Sequence, residues 1–328
     1  MHIMERAGGR NQTLIMEFIL LGFGNPPELQ PFLFLLFLVI YGLTMAGNIL
    51  IVAVIVVDQH LHFPMYYLLG NLSWLETCYT STLLPRLLAS LLTGKRTISV
   101  KGCMVQMYFF GIMSTAESLL LMAMSYDRYL AICNPLRYTS MMNGRVCCQL
   151  VAGSWLSSMT TCSIGMILLL QMTFCDSKEI DHFFCDFSLM LQLACDETQT
   201  LELVIFAIAT MWTFVPCLLT LTSYVCIIST ILRIPSTTGR KKAFSTCSSH
   251  LIMLAIFYLT IITVYIVPTG ITTKVLNKIF SVFYTVLTPL LNPIVYSLRS
   301  KEVNESLRKA FHKLSAFWNS HTILKHTF

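Results

Sequence analysis

Charge is scarce in this sequence. Only 12% of its 328 residues are Asp, Glu, Lys or Arg, where an ordinary soluble domain carries roughly 25%. That shortage points away from a water-soluble globular fold. Catalytic signatures are missing too. No His-Glu-x-x-His, phosphate-binding loop or nucleophile elbow occurs, so the chain reads as a non-enzyme. Lys and Arg do not cluster with aromatics on a polar background, which excludes a nucleic-acid partner. The net charge of +6 therefore reflects loop bias. A cleavable signal pattern is absent as well. "MHIMERAGGRNQT" is polar, and "LIMEFILLGF" is short and broken by Glu17. The first long apolar run is expected to act as its own insertion signal.

Apolar runs fill the space that charge leaves. Hydrophobic residues make up 55% of the chain. They gather into stretches at 31–57, 63–89, 100–126, 146–170, 203–230, 243–267 and 279–298. Each is near or above the ~20 residues a helix needs to cross a bilayer. The mixture of Leu, Ile, Phe and Thr lacks strand alternation, so helix is the reading. After the last run, Val303, Leu307, Ala310, Phe311 and Leu314 recur at near-helical spacing. That pattern suits a helix lying on a lipid surface. The expected fold is an all-α membrane protein: a seven-transmembrane helix bundle with a short amphipathic helix after helix seven. Residues 1–30 form an extracellular segment, 31–299 the spanning domain and 300–328 a cytoplasmic tail.

Orientation follows from Lys and Arg. With the C-terminus inside, thirteen fall inside and nine outside. The bias is small, and "GKRTISVK" in the first outer loop runs against it. Asn11-Gln12-Thr13 is a glycosylation acceptor in a polar segment, which agrees with an outside N-terminus. Most of the twelve cysteines lie in apolar runs, where Cys acts as a small hydrophobe. Four fall at the outer face: Cys103, Cys175, Cys185 and Cys195. The outside is oxidising, so bridges are expected there. Four cysteines allow three pairings, and the sequence does not choose. A Cys103–Cys185 bridge would tie the second outer loop to the top of helix three.

The few charges inside the runs stand out, because intramembrane charge is costly and usually paired or functional. "SYDRYLAIC" sets Asp127 beside Arg128 at the inner end of the third run. A snorkelling interfacial anchor would explain the pair as well. Glu76 and Glu117 sit near mid-membrane, roughly 15–20 Å from their inner helix ends. Two such carboxylates cannot comfortably both ionise. They share a proton or hold a cation, with Asn48, Asn292 and Ser73 as further oxygens. "PLLNPIVY" puts Pro289 and Pro293 inside the seventh run. Each proline frees a carbonyl, and Asn292 is expected to satisfy one.

These stretches together resemble the rhodopsin-like G-protein-coupled receptors, and within them the olfactory (odorant) receptors. The resemblance rests on "EFILLGF", Gly47-Asn48, "LHFPMYYLLGNLS", "MSYDRYLAIC", Ser223-Tyr224, "KAFSTCSSHL", "PLLNPIVYSLR" and "HFFCD", and it covers nearly the whole chain. Three departures are visible. Glu76 stands where the family usually has Asp, Ser125 where Ala is usual, and Leu259 where Gly is usual. Leu259 is expected near the pocket floor.

The resemblance implies a small volatile odorant as ligand and a heterotrimeric G protein of the stimulatory, olfactory type as partner, raising cyclic AMP. It implies that Asp127 restrains Arg128 at rest. Tyr129, Tyr224, His250, Asn292, Pro293 and Tyr296 belong to the same switch. It supports a sodium ion or proton at Glu76, Glu117 and Asn292; no other cofactor and no structural metal is expected. Placement on the outer halves of the helices gives the ligand candidates: Phe110, Gly111, Ser114, Thr115, Ile208, Trp212, Tyr258, Ile262, Tyr265, Val282 and Thr285. None carries a charge, and Phe110 stands where amine receptors carry Asp. A small, mostly apolar ligand with one hydrogen-bonding group fits best. Two other readings compete. A transporter would use the two glutamates as a proton relay, yet the paired halves usual in transporters are not visible. Cys175, His182 and Cys185 have metal-ligand chemistry, but an oxidising loop favours bridges.

Overall fold

The structure is a computed structural model, and it describes residues 16–24, 27–174, 178–194, 199–265, 273–299 and 302–309. Long helices dominate it: α1 (Gln30–Val57), α2 (Pro64–Thr93), α3 (Val100–Cys133), α4 (Gly144–Leu169), α5 (Gln199–Leu232) and α6 (Thr237–Tyr265). A last helix, α7, begins as Thr273–Val282, loosens into a π-helical turn at Phe283–Leu287 and continues as Thr288–Arg299. Local chemistry sets the ends. Ser99 caps α3 by accepting from the Gly102 N–H at 3.1 Å, and Asn143 caps α4 through the Val146 N–H at 3.0 Å. Gly94 ends α2 at φ +70°, where a side chain would be strained.

Among the described residues, six helices are long and apolar enough to cross a membrane: α1, α3, α4, α5, α6 and the stretch Val275–Val295 of α7. α2 has the length, at 30 residues, but its composition is more polar. The reason is its place in the bundle. Ser73, Glu76, Thr77 and Thr80 all point into the protein and are buried. α3 runs through the middle: 67% of its most apolar window is buried, against 17% for the peripheral α5.

The all-α expectation needs one correction. A three-stranded sheet lies at one end of the bundle. Strand β1 (Glu17–Leu20) pairs antiparallel with β2 (Thr97–Ser99) and parallel with β3 (Glu179–Ile180). "EFIL" alternates exposed and buried side chains, the period of a strand lying on a core. Phe18 and Leu20 enter a small second core with Met104, Met107, Leu169 and Met190. The Cys103–Cys185 bridge, with Cα atoms 5.6 Å apart, passes through it. We call this the cap end. Cys175, Cys195 and Asn11 lie outside the described residues.

Two prolines inside helices show how the bundle holds itself. Pro293 has no N–H to give the Pro289 carbonyl one turn back. Asn48 of α1 supplies it instead, Nδ2 donating at 3.0 Å. The expected role of Asn292 is therefore corrected: its amide donates across the bundle to Glu76 Oε1. Pro216 likewise frees the Trp212 carbonyl, and Ser118 Oγ of α3 donates to it at 3.1 Å. Gly47 lets α1 approach α7, since a Cβ there would sit 3.2 Å from the Pro293 ring.

Residues 302–309, within the segment where a short amphipathic helix was expected, are helical. Val303 is buried in the main core and Leu307 packs against it; Ala310, Phe311 and Leu314 lie outside the described residues. Ser306 donates to Asp58 and Tyr66 to Glu302 at 3.2 Å, tying this helix to the α1–α2 turn. The Ser306 hydroxyl and the His60 N–H hold the Asp58 carboxyl below its ordinary range.

Candidate functional site

Three sites lie within the bundle. The first is a cavity of about 160 Å³ below the cap. A void of roughly 150 Å³ accepts a molecule the size of benzene. Of the sequence candidates, Phe110, Gly111, Ser114 and Thr115 of α3, Ile208 and Trp212 of α5, and Tyr265 of α6 line it. The other four do not. Tyr258 lies beneath, donating to the Ser118 carbonyl at 3.3 Å. Ile261 lines the cavity where Ile262 was expected; one residue turns a helix by about 100°. Thr285 is buried and bonded to the Ser281 carbonyl at 2.6 Å, and Val282 packs on the main core. Leu259 is 64% exposed, so it faces out of the bundle and not the pocket floor.

Sequence reasoning missed one wall. Thr161, Cys162 and Gly165 of α4 and Asp186, Phe187 and Ser188 of the second loop also face the cavity. The expectation of an uncharged lining is thus corrected: Asp186 contributes a carboxylate. That carboxylate is already engaged. Oδ1 accepts from the Ser188 N–H at 2.9 Å and the Ser188 hydroxyl at 2.6 Å, and Oδ2 accepts from the Tyr265 hydroxyl at 2.6 Å. Tyr265 in turn meets the Tyr284 hydroxyl at 3.1 Å. The remaining surface is apolar with scattered hydroxyls, which suits a small ligand held by few polar contacts. "HFFCD" held the signal: a bridge at Cys185 fixes its neighbour Asp186 over α3. Gly111 and Gly165 keep the α4 side open. A Cβ at Gly111 would lie 3.1 Å from Cys162 Sγ, and one at Gly165 3.5 Å from the Phe187 ring.

The second site is the carboxyl pair. Glu76 and Glu117 are both fully buried, close enough to feel each other's charge. Glu76 Oε2, both Glu117 oxygens, Asn48 Oδ1 and Asn292 Oδ1 have no partner among the described residues. The donor set is all oxygen, which suits a hard cation. It suits a shared proton equally. The Tyr79 hydroxyl, also buried and without a partner among the described residues, is a neighbour that the sequence did not suggest.

The third site is at the far end from the cap, which we call the arginine end. Arg128, Tyr224 and His250 line one cavity of about 310 Å³ with Ile132, Gly239, Ala243 and Cys247. The expected pairing of Arg128 with Asp127 does not occur: among the described residues, the ion pair formed is Lys278–Asp181, at 2.5 Å. Adjacent helical residues diverge by about 100°, so Asp127 points elsewhere and accepts from the Tyr138 hydroxyl at 2.8 Å. Burial, with Asp127 beside it, pushes the Tyr138 phenol above its ordinary range. Tyr129 stacks on Tyr126 at 6.3 Å rather than lining the cavity. Pro293 is buried against α1, and the Tyr296 side chain lies outside what is described.

Comparison with known proteins settles the family. The model of the family described as "Olfactory receptor" matches residues 37–314. Human olfactory receptor 11L1 is 45% identical over 95% of this chain and 97% of its own length. Mouse olfactory receptor 1E16 is 43% identical over 93% and 97%. Human olfactory receptor 1C1 is 42% identical over 94% and 98%. The chain belongs to the olfactory receptor family, and is thus a multi-pass membrane receptor of the G-protein-coupled class rather than an enzyme.

Proposed function

We propose that this receptor binds a small, mostly apolar odorant in the cavity below the cap and, through the arginine end, activates a stimulatory, olfactory-type G protein that raises cyclic AMP. It sits in the plasma membrane with α2 as the seventh span, the cap end outside and the arginine end inside. The short helix at 302–309 rests at the inner lipid surface. The observation that carries the reading is the cavity: Phe110, Gly111, Ser114, Thr115, Ile208, Trp212 and Tyr265 converge on one void of about 160 Å³. Its engaged carboxylate leaves hydroxyls to orient a ligand, and its size suits a single ring or short chain.

The restraint on the switch differs from the one the sequence implied. Asp127 is held by Tyr138, which lies in the turn between α3 and α4. Arg128 lines the inner cavity, its Nε without a partner among the described residues. The carboxyl pair in mid-bundle holds a sodium ion or a shared proton. A response that is the same with and without sodium would leave the proton.

The test is an odorant-panel screen reading cyclic AMP, with Gly111→Leu beside the parent. Gly111, Cys162 and Phe187 all line the cavity, and a Cβ at Gly111 already meets Cys162 Sγ at 3.1 Å, so a Leu side chain there crowds the α4 wall of the cavity. Odorants that activate the parent are expected to lose potency by at least tenfold, while surface display is kept. A panel response unchanged in Gly111→Leu would place the ligand elsewhere.

A further inference from the structure

A second groove at the arginine end has no part in the reading above. It lies between the ends of α5 and α6, spans about 490 Å³, and is lined by Ile228, Ile231, Leu232, Arg240, Lys241 and Phe244, with Ser245 at its edge. On α6 the Arg128 cavity takes Gly239, Ala243, Cys247 and His250, a single stripe at helical spacing. Arg240 and Phe244 fall roughly a quarter of a turn further round and Lys241 nearly half a turn, at 100° per residue. The groove therefore opens away from the Arg128 cavity, toward the outside of the bundle.

Its chemistry is graded along the helices. Arg240 and Lys241 lie near the start of α6 and Leu232 ends α5, so the cations stand at the rim. Ile228 and Phe244 lie about one turn, or ~6 Å, deeper. Leu232 is 63% and Phe244 54% exposed, although both are large and apolar. Among the described residues, no carboxylate lines the groove. The sequence offers none nearby, since no Asp or Glu occurs between Glu202 and Glu302. Two uncompensated cations over an exposed apolar slot match an anionic headgroup above an acyl chain. A soluble partner would find its polar contacts in the Arg128 cavity and would leave Leu232 and Phe244 uncovered.

We infer that this groove binds an anionic phospholipid, its phosphate on Arg240 and Lys241 and its chain along Ile228, Leu232 and Phe244. The inference rests on the reading of α5 and α6 as membrane spans. It places a lipid at the outer edge of the two helices that frame the Arg128 cavity, where occupancy would bear on how far they separate.

The experiment titrates a fluorescent phosphatidylinositol 4,5-bisphosphate into full-length receptor held in phosphatidylcholine nanodiscs. Binding is expected to saturate. It is expected to yield to unlabelled anionic lipid but not to extra phosphatidylcholine or to free inositol trisphosphate. Arg240→Gln with Lys241→Gln should weaken it on the order of 25-fold, and each single change about fivefold. The single changes decide the matter should the double variant misfold. Lys101→Gln, at the cap end, should leave the affinity unchanged. Parent-level binding in the charge variants overturns the inference. So does competition by inositol trisphosphate as strong as that by the lipid, which would make the groove a soluble-phosphate site. Unchanged lipid binding with weakened G-protein binding would make it a protein contact instead. An odorant response in the same nanodiscs shows that the receptor reading stands whichever way the lipid titration falls.

Discussion

Asp186, at the cap end, takes three hydrogen bonds, from Ser188 and from Tyr265. Gln106 bridges there too, accepting from the Cys185 N–H and donating to the Thr82 carbonyl, both at 3.1 Å. Lys278 pairs with Asp181, and β1 adds backbone bonds from Leu20 to Arg96 and from Gly22 to His182. Arg128 and Tyr224, at the arginine end, carry a guanidinium Nε and a buried hydroxyl with no partner among the described residues. An unmet buried polar group typically costs about 1–3 kcal/mol. The cap is therefore built to stay as it is. The arginine end leaves donors free for contacts that another state or another molecule supplies. Perturbing the cap should damage folding, and perturbing the arginine end should damage signalling alone.

The largest effect is expected at the bridge. Cys103 and Cys185 are wholly buried in the second core, beside Phe18 and Met190. Losing a native bridge costs roughly 2–5 kcal/mol in small secreted domains. Cys103→Ser and Cys185→Ser should each abolish surface display, as scored by flow cytometry on intact cells. Normal display of both would show that strand pairing and packing hold the cap without the bridge.

The difference between the ends was only partly legible beforehand. Long apolar runs declare helices because a bilayer asks for little else. α2 kept its length but not its apolar character, because its polar residues are spent inside the bundle. The strand at Glu17–Leu20 was visible only as a short apolar stretch, since its partners lie about 80 and 160 residues away in the chain. The partner of a freed carbonyl could not be read at all: Asn48 and Pro289 are 241 residues apart. Asp127 and Arg128 looked like a pair because they are neighbours in sequence. On a helix neighbours diverge, and a tyrosine one loop away claims the acid. Seven cavity residues were found from helix phase and depth. The α4 and loop contributions were not, because they depend on where the bridge pins Phe187 and Asp186.

A smaller effect should come from a cap group that breaks the pattern. His182 is buried between rings, 4.6 Å from Phe183 and 4.5 Å from Phe184, and its Nδ1 has no partner among the described residues. Burial, with Lys278 adding repulsion against the pull of Asp181, lowers its pKa to about 3. An unfolded cap would titrate near 6.5. Between these values the unfolded state binds the extra proton, so stability rises with pH and falls on acidification. At pH 5 the loss is on the order of 2 kcal/mol relative to pH 7. Thermal unfolding of the purified receptor should show a lower midpoint at pH 5, and His182→Phe should flatten that dependence. A midpoint that does not change between pH 7 and pH 5 would mean that the ring reaches water in the folded cap.

The smallest stability effect is expected at Arg128, together with a complete functional loss. No carboxylate pairs with it among the described residues, so Arg128→Ala strands no partner. Removing a half-buried charge that lacks a counter-ion is neutral or stabilising, and the stability should change by no more than about 0.5 kcal/mol. The odorant cavity reaches α3 no deeper than Ser118, ten residues and so ~15 Å away, and ligand binding should be kept. Cyclic AMP output should vanish, because the group exposed to the inner cavity is gone. Tyr138→Phe separates the two residues of the motif. It releases Asp127 from its only side-chain donor among the described residues and leaves Arg128 in place. If the Tyr138 contact holds the resting state, this variant raises ligand-free cyclic AMP while Arg128→Ala abolishes it, and the signs must differ. Two variants that merely reach the surface less often would make the arginine end another structural anchor, and the contrast between the two ends would be lost.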